Sequence, residues 1–378
     1  MKVKTLFWIL IGLIIISNSN TVFAQGESAV PFLLIAPGAR AGGMGEAGVA
    51  LANDATAIYW NPAGLAFQYE DPEVDYRGEA SFMHVNWLPQ FNFSDLFYDF
   101  FAARYYLDEI DGMLGFGLTY LNLGENVWTS STGDVLGTFD SKEYAITLGY
   151  ATKLENNLGI GLNLKLIRSE LVPSYVQVDA ENRGGNATSF AVDVGVLWTP
   201  AYEFLENRLN LGANLSNFGP EVTYINEAQA DPLPTNLRLG FAYKVLDDEF
   251  NKITIVYDAN RELVYRNPRV IGPDSTVIDE GGPDGVFKAV FYSSWFKGKV
   301  SERLNKFTHS LGLEYWYGNL IALRAGYFYE HPNYGDRNFL TFGGGIKYDI
   351  FGIDFGYISA EEDHPLSDTM RFSVSVQF

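Results

Sequence analysis

The sequence predicts an all-β chain: a 14-stranded antiparallel outer-membrane β-barrel with an N-terminal hatch or plug segment. Three observations predict it. Segments of about ten residues alternate apolar and polar side chains along most of the 378-residue chain, the length and period of tilted strands that cross a bilayer. The connections between them are short on one side and long on the other, as periplasmic turns and extracellular loops are. A soluble sandwich has no reason to sort its loops by parity. Third, Val30–Phe67, rich in glycine and alanine, has no strand period and precedes the first alternating segment.

Composition fits this class. Hydrophobic residues make up 47%, aromatics 15%, and mean hydropathy is −0.03, which excludes a disordered chain or a bundle of apolar helices. A net charge of −20 argues against nucleic acid as a partner. With no cysteine, stability must come from something other than disulfides, and a closed, fully hydrogen-bonded barrel supplies it.

Taken in order, residues 1–24 read as a signal peptide: Lys2 and Lys4, then apolar Leu6–Ile16, then Val22-Phe23-Ala24 as a small-residue cleavage site. The apolar run falls short of the ~20 residues a spanning helix needs. Cleavage near Gln25 takes the charge to −22, because both lysines leave and no acidic residue precedes Glu27. Residues 25–77 form the plug segment and 78–378 the barrel.

Fourteen strands are predicted, at 79–87, 97–107, 112–123, 143–153, 158–168, 188–198, 208–217, 236–246, 252–261, 307–317, 320–330, 338–349, 352–359 and 369–378. Leu158, Ile160, Leu162, Leu164 and Leu166 oppose Gly159, Gly161, Asn163 and Lys165; Met370, Phe372, Val374, Val376 and Phe378 oppose Arg371, Ser373, Ser375 and Gln377. Short turns are Asp108–Asp111, Leu154–Asn157, Asp247–Asn251, Gly318–Asn319 and Ile350–Phe351. Long connections include Gly124–Lys142, Glu170–Ala187, Phe218–Thr235 and Glu262–Lys306, with Thr199–Asn207 the one long connection on the short side. A lipid-facing charge near mid-bilayer costs about 2–4 kcal/mol, so Arg238, Lys244, Glu314, Arg324, Lys347, Asp354 and Arg371 must face the lumen. Gly115, Gly117, Gly159, Gly161, Gly195, Gly212, Gly240, Gly326 and Gly356 share that face, and a wall stripped of side chains leaves room for another backbone.

Within the opening stretch, Gly43-Met44-Gly45-Glu46-Ala47-Gly48 matches a dinucleotide fingerprint in letters only. That motif has meaning between a strand and a helix of a βαβ unit, and no such pattern surrounds it. Asn61-Pro62 favours a turn, and Asn53-Asp54 suits an N-cap before Ala55–Trp60. Arg40 and Glu46, charges in a narrow lumen, need partners; Asp193, Asp354 and Arg324 are the expected ones. His84, His309, His331 and His364 have neither ligand nor triad spacing, so no catalytic residue, metal or cofactor is assigned. Glu361, Glu362 and Asp363 read as a solvated face. The aromatics of the long loops, Trp128, Trp295 and Phe296, are candidate partner anchors.

The run GARAGGMGEAGVALANDATAIYWNPAGLAF resembles the N-terminal hatch of FadL-type outer-membrane proteins, with its glycine-rich start, D-A-[ST]-A core and N-P-A-G-L end. The preceding SAVPFLLIAPGARAGGMG resembles more closely the PorV/PorQ family of the type IX secretion system. The match covers Ser28–Phe67. It marks Gly38, Arg40, Gly42, Gly43, Gly45, Glu46, Asn61, Pro62, Ala63 and Gly64 as the hatch motif. It implies a non-enzymatic barrel in outer-membrane lipid, plugged from the periplasmic side. Such a barrel binds the C-terminal signal domain of secreted cargo and works with the translocon barrel and the cell-surface attachment complex. One position departs: the narrower branch tends to carry lysine after Asn-Pro-Ala, where Gly64 stands here. The alternative function is a FadL-like channel for hydrophobic small molecules. The terminal Phe378 of an alternating strand resembles the signal read by barrel-assembly machinery.

Overall fold

Alternation with period two requires a sheet, and a sheet in lipid must leave no edge unpaired. The computed structural model meets both demands. It describes residues 28–378 apart from 72, 74, 92–94, 131, 177–184, 225–229, 272–275, 280 and 363; the predicted signal peptide and Asp363 lie outside the described residues. The barrel strands are β1 (Gly78–Asn86), β2 (Phe97–Leu107), β3 (Gly112–Thr129), β4 (Val135–Glu155), β5 (Leu158–Glu170), β6 (Asn186–Trp198) and β7 (Leu209–Phe218). They continue as β8 (Asn236–Asp247), β9 (Asn251–Glu262), β10 (Thr308–Tyr317), β11 (Ile321–Tyr329), β12 (Asn338–Tyr348), β13 (Phe351–Ser359) and β14 (Met370–Gln377). Each pairs antiparallel with its sequence neighbour, and β1 closes on β14 in the register Glu79↔Gln377 to His84↔Phe372.

The outward residues form an apolar band. Leu148, Leu162, Leu164, Phe190, Leu323 and Phe372 are each at least 46% exposed, and such a surface belongs in lipid rather than water. The short turns gather at the end where Gly78 and Phe378 exchange backbone hydrogen bonds, the periplasmic end of a barrel of this kind.

One connection differs from expectation. Gly124–Lys142 is not a loop: β3 and β4 stay paired from Met113↔Ala151 out to Thr129↔Val135, with a register shift at Asn122/Gly124, so Trp128 lies in a strand. Above the membrane both faces of a hairpin meet water, and the apolar alternation that marks a strand disappears. The Glu262–Lys306 region holds two short ladders, Arg266–Asn267 with Gly282–Pro283 and Val270–Ile271 with Val277–Asp279. An irregular helical run follows, through Val286–Lys288, the π-turn Ala289–Ser293 and Ser294–Phe296, and then Val300–Asn305.

Candidate functional site

The N-terminal segment lies inside the barrel. Its turns are short: Pro31–Leu34, Ala39–Gly42, Ala57–Trp60 and Pro62–Phe67. Turns this short leave part of the backbone unpaired within the segment, and those groups must find partners elsewhere; the inner wall supplies them around its circumference. Ala39 N–H donates to Ser373 Oγ of β14 (2.9 Å) and Gly45 N–H to Thr341 Oγ1 of β12 (2.7 Å). Gly48 and Val49 N–H both donate to Asp258 Oδ2 of β9 (2.7 and 2.9 Å). In return Asn163 of β5 donates to Ile58 O (2.7 Å) and Asn214 of β7 to Trp60 O (3.1 Å).

The inward glycines are where the plug touches the wall. A Cβ on Gly161 would overlap the Pro62 carbonyl, one on Gly195 would overlap Asn61, and one on Gly326 would overlap the Met44–Gly45 peptide. Gly43 and Gly343 face each other so closely that a Cβ on Gly43 would lie 2.9 Å from the other Cα. Gly45 carries a second constraint, φ +67°, a region an L side chain enters at a cost. Gly64 packs on the Ala52 carbonyl, which excludes the lysine of the narrower branch from this backbone. The fingerprint letters Gly43–Gly48 therefore serve wall contact; no βαβ unit surrounds them.

The expected charge partners are corrected. Arg40 reaches neither Asp193 nor Asp354. Its Nε and Nη2 donate to the two oxygens of Glu314 (2.8 Å each), and Nη1 to Asn53 and Asp54 (2.6 and 2.9 Å). Arg324 binds the same Glu314 through Nε (2.7 Å) and Asp354 through Nη1 (2.6 Å). Glu46 pairs with Arg371 (2.6 Å), and Asp193 with wall residue Lys165 (2.8 Å). The plug thus enters an alternating chain of charge, Asp54–Arg40–Glu314–Arg324–Asp354, in which each cation touches two carboxylates. Asp54 does not cap a helix starting at Ala55. Its side chain accepts from Thr56 N–H (2.9 Å), one residue before the Ala57–Trp60 turn.

Asn61 is fully buried and joins three pieces. Oδ1 accepts from Ala63 N–H (3.1 Å), and Nδ2 donates to Val49 O (2.9 Å) and to Val196 O of β6 (3.0 Å). Asn61→Ala is expected to cost about 1–3 kcal/mol for the buried polar groups left unpaired, read as a lower unfolding midpoint of the folded barrel.

Two cavities flank the plug. On the short-turn side a space of about 580 Å³ is lined by Arg40, Asp54, Glu314, Trp316, Lys347 and neighbours. On the long-loop side a vestibule of about 320 Å³ has Pro31, Ile35 and Trp60 of the plug at its floor and Arg238, Arg261 and Tyr334 among its walls. Between plug and wall, the void lined by Leu33, Ile58, Phe100 and Ala145 is about 10 Å³, room for one water at most.

The loop aromatics divide. Trp295 turns inward, donating to Val290 O (2.7 Å) and carrying the Arg261 guanidinium 4.7 Å above its ring. Phe296 is 65% exposed, as are Phe287 (68%) and Phe291 (66%) beside Tyr292; the sequence reading missed these three. The π-turn breaks the regular spacing that would have aligned them, but aromatics interleaved with Lys288, Lys297, Lys299, Arg303 and Lys306 in so acidic a chain were a usable signal. Phe287 packs edge-on against Phe218 at 5.1 Å. Asp284 braces this region. Burial pushes its carboxyl up, but hydrogen bonds from Lys288, Lys297, Ser293 and Asn267 outweigh that and hold it well below the usual carboxylate range. A depressed carboxyl adds stability that is present above its unfolded value near pH 4 and is lost as pH falls.

A closed barrel with an apolar outer band and a filled lumen defines an outer-membrane barrel protein. The chain belongs to the family of the type IX secretion system protein PorV: the family model matches residues 18–269, which takes in the plug and the strands through β9. It is thus an outer-membrane component of type IX secretion. No curated protein matches the sequence. Among solved structures, the toluene transporter TodX of Pseudomonas putida is similar over 90% of this chain and 96% of its own, at 16% identity and a TM-score of 0.50, which shows the shared barrel fold. The toluene transporter TbuX of Ralstonia pickettii (14% identity, TM-score 0.49) and a Pseudomonas aeruginosa FadL homologue (12%, 0.49) each align over 90% of this chain and 98% of theirs.

Proposed function

We propose that this barrel acts as a sealed docking platform: it receives the C-terminal signal domain of secreted cargo at its outer face and passes it from the translocon barrel to the attachment complex. The observation that carries this reading is the family match over residues 18–269. A plug bonded to strands on every side supports it, because a lumen filled in this way does its work through its surfaces. The exposed face of Phe287, Phe291, Tyr292 and Phe296 is the partner-docking surface in this reading, with Trp295 as its internal brace and Trp128 on the β3–β4 hairpin as a second contact. No side chain is assigned to catalysis.

Deletion of the gene is expected to abolish secretion of proteins bearing type IX signals, and Phe287, Phe291 and Phe296 changed together to serine should lose co-purification of a large barrel partner while still folding. Unchanged secretion in the deletion strain, together with lost uptake of a hydrophobic compound, would favour the channel instead. The channel reading needs an apolar space between plug and wall, and the void lined by Leu33, Ile58, Phe100 and Ala145, at about 10 Å³, is too small to serve as one.

A further inference from the structure

We infer that the outer vestibule is a binding site for a peptide carboxylate, held by Arg238 and Arg261. This deepens the cargo reading, on which the peptide's source rests; the chemistry of the site stands on the side chains alone.

Most buried cations of the barrel interior are neutralised at short range. Arg40 and Arg324 share Glu314, Arg371 holds Glu46, Lys165 holds Asp193, and Arg104 holds Glu79. Arg238 and Arg261 are different. Arg238, on β8, is 7% exposed, lies 4.6 Å over Trp60 and 4.9 Å over Tyr59, and donates only to the Tyr59 hydroxyl (3.2 Å). Arg261, on β9, is 3% exposed, stacks on Trp295 and Phe307 at 4.7 and 5.2 Å, and donates to the Ser294 carbonyl. Each keeps a buried Nε–H without a partner, and among the described residues neither makes an ion pair with a carboxylate. Both line the same 320 Å³ vestibule.

Arg238 feels the carboxylate of Asp258 only beyond ion-pair distance, and that carboxylate is bonded to Gly48 and Val49 N–H. A buried cation without an ion-paired partner is costly, so two of them at one opening mark a place where an anion arrives from outside. Three acids line the vestibule: Glu46 is held by Arg371, Glu330 by Arg337 (2.6 and 2.9 Å), and Glu262 makes no ion pair with Arg238 or Arg261. A guanidinium fork matches a planar carboxylate in two parallel hydrogen bonds, and stacking on rings fixes its plane in advance. The cavity is of ligand size, with room for the end of a chain and not for a folded domain.

Detergent-solubilised protein is titrated with acetyl-Ala-Ala-Phe as free acid or amide, with acetyl-Ala-Asp-Ala amide, and with inorganic phosphate, and tryptophan emission is followed, since Trp60 and Trp87 line the cavity. The free acid is expected to bind about tenfold more tightly than its amide, a difference of one decade in Kd. In folded Arg238→Gln or Arg261→Gln that preference should fall to within about twofold. The Asp peptide separates an internal acid from a chain end: binding equal to the free acid assigns any carboxylate, and binding equal to the amide assigns the terminus. Heat-modifiable gel migration verifies that each variant is a folded barrel; if Arg238→Gln fails to assemble, Arg261→Gln decides. Equal binding of acid and amide overturns the proposal, as does undiminished preference in both folded variants, or phosphate binding where the acid does not. Secretion is scored separately. Normal dependence of secretion on the gene without any carboxylate preference sinks this site alone, whereas the preference without any secretion defect sinks the cargo reading alone.

Discussion

Alanine at Gly161 or Gly326 is expected to force the plug off the wall. The added methyl carbon has no free volume to enter, because it would sit within the Pro62 carbonyl or the Met44–Gly45 peptide. Backbone cannot swing aside as the tip of a long side chain can. Overpacking typically costs about 1–3 kcal/mol, and at these two positions the top of that range or beyond is expected. Tryptophan at Gly161 or Gly240 should prevent seating altogether. Limited proteolysis of the folded barrel reads this directly: cleavage within residues 28–71 should rise at least several-fold in the variants. A barrel that unfolds at the wild-type temperature with an equally protected N-terminal segment would show that the glycines are incidental.

Glu314→Ala should be the most damaging single change among the lumenal charges. One carboxylate joins Arg40 of the plug to Arg324 of the wall. Removing it leaves two guanidinium groups facing each other in a buried site, and breaking such a pair costs about 3–5 kcal/mol. Arg40→Ala should cost less, since Arg324 still satisfies Glu314 and Asp354. The double variant Arg40→Ala/Glu314→Ala is expected to recover part of the loss, the non-additivity of residues in contact. Thermal unfolding of all three barrels measures it, and strict additivity would deny the coupling.

The strands and the glycine-lined wall were legible because both are local patterns: period two, and the repeated absence of a side chain on one face. The partners of Arg40 and Glu46 were not. Arg40 meets Glu314 across 274 residues of sequence, and which wall charge arrives at which plug residue depends on the barrel's stagger, a property of the closed sheet and of no segment within it. The long β3–β4 hairpin was missed for a different reason. Val127, Val135 and Leu136, each more than half exposed, sit among polar residues with no buried face to impose alternation. For the outer vestibule, alternation places Arg238 in the lumen, but that it bonds to the Tyr59 hydroxyl and to no carboxylate depends on where the closed barrel brings each neighbouring acid.

The plug's bonds to late strands have a consequence for how the molecule is made. Ala39 is bonded to Ser373 across 334 residues, and β1, which follows the plug, must zip to β14 to finish the cylinder. Contacts of such long range form slowly. A ring closed first would trap an empty, glycine-lined hole with no obvious entry for a folded insert. The segment is then best pictured as a mandrel: it waits beside the growing sheet, the strands are laid around it, and the seam between β1 and β14 locks it in.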